Sequence, residues 1–185
     1  MKLTLVRHGE TEENVRDILQ GQLPGHLTEK GREQARITAE KLKDEKFDAV
    51  YSSDLQRCLD TAEIIRMYHA DTPFFTDELL RERYGGSMQG HPLAEERAMF
   101  RKEDWYTHKL PGEGESWEDV KIRQIPFLNK LFASYPQGSV LVIAHGGSVR
   151  GIRSVLEGRA LADIDGEDTP NAGIWRVEMT EHIDG

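Results

Sequence analysis

Cys58 is the only cysteine in the chain, so no disulfide can close within it and no cysteine-based zinc cluster can be built. No apolar run approaches the length of a membrane span, and no low-complexity segment or linker divides the sequence. Basic charge is scarce as well. Against 33 Asp and Glu stand 24 Lys and Arg, a net charge of −9. That balance argues against nucleic acid as the main partner, because such binding draws on a basic surface. It leaves room for a small anion, since a few arginines in a concavity make a locally positive field on an acidic protein. A strand-like run begins at residue 2, which leaves no space for a signal or transit peptide, and a cytoplasmic protein is the expectation. With 31% charged and 37% hydrophobic residues over 185 positions, one domain spanning 1–185 can bury a core without disulfides or metal.

What is present is concentrated at two places. Leu3-Thr4-Leu5-Val6 runs into Arg7-His8-Gly9-Glu10, and Val140-Leu141-Val142-Ile143-Ala144 runs into His145-Gly146-Gly147. A short, continuous, β-branched-rich run bounded by glycine reads as a strand buried on both faces of a parallel sheet. Ligands of such sheets sit outside the carboxyl ends of the strands. Each histidine stands at that end, followed by a glycine that lets backbone approach a bound group closely. Gly146 is therefore counted among the binding candidates.

The elements between alternate. After the first His-Gly pair, the stretch to His26 reads as loop. Thr28 is placed to cap a helix with Ala35, Ala39 and Leu42 on its apolar face. Phe47 to Tyr51 is a second strand, followed by a helix with Leu55, Cys58, Leu59, Ala62 and Ile65 on one stripe. Pro73 to Thr76 is a third strand. Leu79 to Pro92 is loop-like, broken by Gly85, Gly86 and Gly90. The variable insertion 91–113 is charged and aromatic, with a helix expected inside it. Ser116 is placed to cap another helix that Pro126 should kink or interrupt. The second His-Gly strand comes next, then a helix from Ser148 to Leu156 and a final strand from Ala172 to Met179. This alternation predicts a three-layer α/β/α sandwich around a mostly parallel sheet.

The residue types at the two strand ends suit phosphoryl transfer. A phosphomonoester dianion needs its charge neutralised and a nucleophile held in line with the leaving oxygen. Arg7 lies beside His8. Arg57 falls in the first turn of a helix, where a guanidinium fork and free amides both favour an anion. Asn14 can donate from the loop after His8. A neutral imidazole can attack phosphorus if its other nitrogen keeps the proton, and either His8 or His145 meets that description. For the leaving alkoxide, Glu82 is the best general acid, with Glu10 and Glu13 as competitors. A carboxyl group beside a phosphate dianion is protonated more readily because like charge opposes ionisation.

Leu5-Val6-Arg7-His8-Gly9-Glu10-Thr11 resembles the signature of the histidine phosphatase superfamily, whose fold is phosphoglycerate mutase-like. Leu27 to Gly31, Tyr51 to Cys58, Leu80-Arg81-Glu82, Gly114-Glu115-Ser116 and Val142 to Gly147 follow in the family's order, across nearly the whole chain. The resemblance implies that His8 forms a phosphohistidine, that His145 stabilises the phosphoryl group, and that Arg7, Asn14 and Arg57 hold it. It further implies that Glu82 donates the proton and that neither metal nor cofactor is used. Phosphatase members often carry an aromatic and an acidic residue before the last glycine of the Glu82 loop. Here that segment is Gly86-Ser87-Met88-Gln89-Gly90, so a differently shaped substrate wall is expected.

Simpler readings compete at several positions. Glu82 is open to an ion pair with Arg81 or Arg83, and Cys58 reads as core. His26, His69, His91, His108 and His182 read as surface or loop residues. Trp105, Tyr106 and Trp117 suit either the lining of a substrate mouth or packing, and are not counted as site residues. Two histidines can also suggest a metal, but Arg7 and Arg57 would repel a dication. Three functions follow: a phosphatase, a phosphoglycerate mutase-type transferase, or a silent phospho-ligand binder. Mutases of the family are longer and carry an adjacent arginine pair where this chain has Arg101-Lys102, and lysine lacks arginine's fork. A phosphatase acting on a small phosphorylated metabolite is the favoured reading. Arg97, Arg101, Lys102 and Lys109 allow extra negative charge on the leaving group. Nothing in the pattern declares an oligomer interface.

Overall fold

Three inner strands of the sheet are apolar on both faces because helices cover both. The computed structural model describes residues 1–165, 167 and 169–183. In chain order the elements are β1 (Lys2–Arg7), α1 (Glu12–Val15), α2 (Glu29–Leu42), β2 (Ala49–Ser52), α3 (Gln56–Arg66) and β3 (Phe74–Thr76). Two 3₁₀ turns, Glu78–Leu80 and Gly86–Met88, precede α4 (Leu93–Met99), α5 (Trp117–Ser134), β4 (Ser139–Ala144), α6 (Gly146–Glu157), α7 (Leu161–Asp165) and β5 (Ile174–Glu178).

The strand order is β3-β2-β4-β1-β5, parallel except for β5, which runs antiparallel to β1. Alternation then sorts the side chains. Leu3, Leu5, Ala49, Tyr51, Val140 and Val142 pack against Phe127, Leu128 and Leu131 of α5 and Val149 and Ile152 of α6. Val6, Val50, Leu141 and Ile143 face Ala39 and Leu42 of α2 and Cys58, Ala62 and Ile65 of α3. Each fully buried aliphatic or aromatic side chain contributes roughly 1.5–3 kcal/mol. The result is the expected three-layer α/β/α sandwich.

Caps form where the sequence places them. The Thr28 side chain accepts the Gly31 N–H at 2.9 Å. Ser116 and Asp119 form a reciprocal box, with Ser116 Oγ accepting the Asp119 N–H at 3.0 Å and Asp119 accepting the Ser116 N–H at 2.9 Å.

Several boundaries differ from the pattern. The segment before His26 contains α1, capped by Thr11 and Asn14. Helix α5 runs through Pro126 without interruption. The amide hydrogen that proline lacks would have served the carbonyl of Ile122, an exposed residue where water can replace it. Helix α6 starts at Gly146 rather than Ser148, so His145 is its N-cap. His69 lies in the loop after α3, as expected, but is buried against Phe47, with ring centroids 5.2 Å apart, rather than on the surface.

Candidate active site

Parallel pairing of β1 with β4 brings the two histidines together. Arg7 is in register with Ala144, and the His8 N–H donates to the Ala144 carbonyl at 3.0 Å. The next residue on each strand is a histidine, and the two rings lie 5.3 Å apart, edge to face. His8 Nδ1 lies 2.7 Å from the Gly9 carbonyl oxygen, which can only accept, so Nδ1 carries the hydrogen. The lone pair of neutral His8 is therefore on Nε2, and His8 lines a cavity of about 730 Å³.

His145 is held differently. Arg57 donates from Nε to its Nδ1 at 3.1 Å, and its Nε2 lies 2.9 Å from Ser53 Oγ and 3.4 Å from Cys58 Sγ. It is wholly buried and stands behind the cavity lining. Burial, followed by the charges of Arg57 and Arg7, holds His8 well below its ordinary pKa. Burial and Arg57 do the same to His145. Both rings are neutral near pH 7.

Arginine and amide donors surround His8. Arg57, the second residue of α3, is 1% exposed and donates to the carbonyls of Gly21 at 2.7 Å and Leu23 at 2.9 Å while lining the cavity. Arg7 lines the cavity and donates to the Thr169 carbonyl. Asn14 Oδ1 accepts from the Thr11 N–H at 3.2 Å and from Asn171 Nδ2 at 3.1 Å, which leaves the Asn14 amide hydrogens for the cavity it lines. Gly146 differs from expectation: it is buried and does not line the cavity. A Cβ there would meet the Arg7 side chain at 3.4 Å, an ordinary contact, so no close approach requires glycine at this position. Gly9, by contrast, is pressed against backbone, since a Cβ would fall 2.4 Å from the Gly31 carbonyl oxygen.

Glu82 lines the cavity, and its competing explanation as an ion pair fails. Arg81 is paired with Asp54 and Arg83 with Glu96. The Glu82 carboxylate accepts instead from two backbone amides, Arg83 at 2.9 Å and Gly147 at 3.1 Å. Glu10 is engaged by Lys30 at 2.7 Å and Glu13 by Gln20 at 2.6 Å, and neither lines the cavity.

The insertion 91–113 forms the outer wall. Arg97, Arg101 and Lys102 reach the cavity, whereas Lys109 is turned to Asp119 at 3.3 Å. Trp105, Tyr106 and Trp117, which the sequence left between mouth lining and packing, also line it. Trp117 and Trp105 hold Arg83, whose guanidinium lies 3.9 Å from the Trp117 ring centroid and 5.8 Å from that of Trp105. Burial brings the Arg83 pKa down to about 10. The available signal was aromatic residues interleaved with cations immediately after the Glu82 loop. Cys58 is core, as expected, but its sulfur also touches His145, and burial pushes its thiol pKa up. Among the described residues no three His, Cys, Asp or Glu side chains converge to hold a metal ion.

Comparison with known proteins matches residues 3–183 to the histidine phosphatase superfamily (branch 1). A metal-independent phosphoserine phosphatase of Arabidopsis thaliana is 36% identical over 82% of this chain and 66% of its own length. A 2,3-bisphosphoglycerate-dependent phosphoglycerate mutase of Bartonella bacilliformis is 34% identical over 88% of this chain and 84% of its own. Among solved structures, a mycobacterial glucosyl-3-phosphoglycerate phosphatase superposes with a TM-score of 0.82 at 32% identity, covering 95% of this chain and 88% of that one.

Proposed function

Because the chain belongs to the histidine phosphatase superfamily (branch 1), we propose that it hydrolyses small phosphomonoesters through a phosphohistidine on His8, without a metal. The observation that carries this reading is the tautomer of His8: with Nδ1–H held by Gly9, the lone pair sits on Nε2 of a ring that lines the cavity.

In the first step Nε2 attacks phosphorus and the P–O bond to the leaving group breaks. Glu82 gives its proton to the departing oxygen. Arg7, Arg57 and Asn14 carry the charge on the other phosphoryl oxygens. His145 holds its Nε2–H toward Ser53 in this structure, and donating a hydrogen bond from that N–H to a phosphoryl oxygen, with the proton kept on the ring, is its proposed part. In the second step water attacks phosphorus, the P–N bond breaks, and the Glu82 carboxylate takes up the water's proton. Phosphate is released and both groups return to their starting states.

Arg97, Arg101 and Lys102 on the cavity wall support a leaving group that carries negative charge of its own. The phosphoserine and glucosyl-3-phosphoglycerate phosphatases among the similar proteins act on such compounds. Among the described residues no helix is long and apolar enough to cross a membrane, and a single cytoplasmic domain is part of the proposal. The mutase reading is kept by the 34% identity to a phosphoglycerate mutase.

The test is hydrolysis of para-nitrophenyl phosphate, phosphoserine and 3-phosphoglycerate in excess chelator, with His8→Ala alongside. Chelator-resistant phosphate release that disappears in the variant supports the proposal. Full activity in His8→Ala would overturn it. Interconversion of phosphoglycerates without phosphate release would favour the mutase.

A further inference from the structure

Four consecutive carbonyls in the loop that carries Glu82 are bonded from outside the loop, mostly by one side chain that never reaches the cavity. Arg123, on α5, donates from Nη1 to Leu79 at 2.6 Å and from Nη2 to Arg81 at 2.6 Å and Glu82 at 3.0 Å. Ser148 Oγ lies 3.0 Å from the carbonyl of Leu80 and 2.9 Å from that of Arg81. Arg123 Nε is spent on Glu115 at 2.7 Å, and the second oxygen of Glu115 accepts the Tyr84 N–H at 2.8 Å. The Glu115 N–H in turn donates to the Tyr84 carbonyl at 2.8 Å. The backbone is thus gripped at residue 82 by Arg123 and at residue 84 by Glu115. Neither gripping residue lines the cavity.

We propose that Arg123 and Glu115 are positioning residues that aim the Glu82 carboxyl at the leaving-group oxygen. This inference rests on Glu82 being the proton donor. The loop needs such a device. It carries Gly85, Gly86 and Gly90, with φ of +54° at Gly86 and +90° at Gly90, so its own covalent geometry restrains it little. A misplacement of about 1 Å at a reacting group costs roughly 100-fold in rate. Only arginine presents a planar fork whose separate nitrogens reach three carbonyls and a carboxylate together. Glu115 balances the guanidinium charge, and both side chains are about one-fifth exposed, at 19% and 21%.

A purely structural role and a positioning role predict different dependence on the leaving group. Proton donation matters little when the leaving group is a weak base and much when it is a strong one. The experiment measures kcat/KM for para-nitrophenyl, phenyl and para-methoxyphenyl phosphates with wild type, Glu82→Gln, Arg123→Lys and the double variant. Glu115→Gln is measured in parallel and stands in if Arg123→Lys does not fold. Both Glu82→Gln and Arg123→Lys should lose at least about 10-fold more on phenyl than on para-nitrophenyl phosphate. The double variant should lose no more than Glu82→Gln alone. If Glu82→Gln steepens the dependence while Arg123→Lys and Glu115→Gln lower all substrates equally or not at all, the positioning role is overturned and the donor role stands. If Glu82→Gln leaves the dependence as in wild type, the donor assignment itself falls and the positioning role falls with it.

Discussion

Arg57 donates to Nδ1 of His145 at 3.1 Å, and that bond decides which nitrogen of the second histidine carries hydrogen. Arginine cannot accept, so Nδ1 holds the lone pair and neutral His145 carries its hydrogen on Nε2. His8, bonded through Nδ1 to the Gly9 carbonyl, is the opposite tautomer. Two rings 5.3 Å apart thus present different chemistry: a lone pair from one and an N–H from the other.

Nitrogen-15 NMR of imidazole-labelled protein near neutral pH checks this directly. His8 should show a protonated Nδ1 and an unprotonated Nε2, and His145 the reverse. The same tautomer at both sites would contradict the arrangement.

Both histidines also tie stability to pH. Burial, with Arg57 next, holds each folded-state value well below the ordinary 6.5. Between the folded and unfolded values the unfolded chain binds more protons, so stability rises with pH across that window. The contribution is complete above the unfolded value and is lost as pH falls toward the folded one. The urea midpoint should drop on going from about pH 7.5 to about pH 5.5, and His8→Gln should reduce that drop. An unchanged midpoint in wild type would contradict the neutral, buried state of both rings.

Gly147 is required by close approach. A Cβ at this position would lie 2.1 Å from Trp117 Cζ3 and 2.3 Å from Glu82 Oε1. Gly147→Ala must therefore push aside both the Glu82 carboxyl and the Trp117 ring that holds Arg83. It should cost about 1–3 kcal/mol of stability and at least about 10-fold in kcat/KM on phenyl phosphate. Wild-type kinetics in this variant would show that the Glu82 position is not critical.

Cys58 should be chemically silent in the folded protein. Its thiol is buried against His145 and Ala144, and burial pushes its pKa up. Reaction with a thiol-specific disulfide reagent should occur only as fast as the protein unfolds. Rapid labelling without denaturant would contradict the packing at this position.

Much of this was legible in the sequence because strands covered on both faces leave unbroken apolar runs. Val140 to Ala144 and Leu3 to Val6 announced themselves, and the histidines that follow them are the two whose rings lie 5.3 Å apart. Thr28 and Ser116 announced their helices through capping chemistry. What stayed hidden depended on neighbours distant in the chain. Alternation does not record that β5 runs antiparallel, nor that His69 is buried beside Phe47. Helix α1 is four residues long and too short to show a period. Pro126 marks a break only where its missing donor is needed indoors. Trp105, Tyr106 and Trp117 stayed undecided between lining and packing because both use the same residue types, and only the folded chain shows that they line the cavity that His8 also lines. Arg123 had no signal at all, since its three carbonyl partners lie some 40 residues earlier in the chain.

In the proposed mechanism His8, and not His145, takes the phosphoryl group. Enzyme mixed with excess para-nitrophenyl phosphate, quenched in alkali within milliseconds and digested for mass spectrometry, tests it most directly. One phosphoryl group should appear on the peptide containing His8, none on the peptide containing His145, and none on either in His8→Ala. A phosphoryl group on His145, or turnover with no phosphorylated histidine at any quench time, would contradict it.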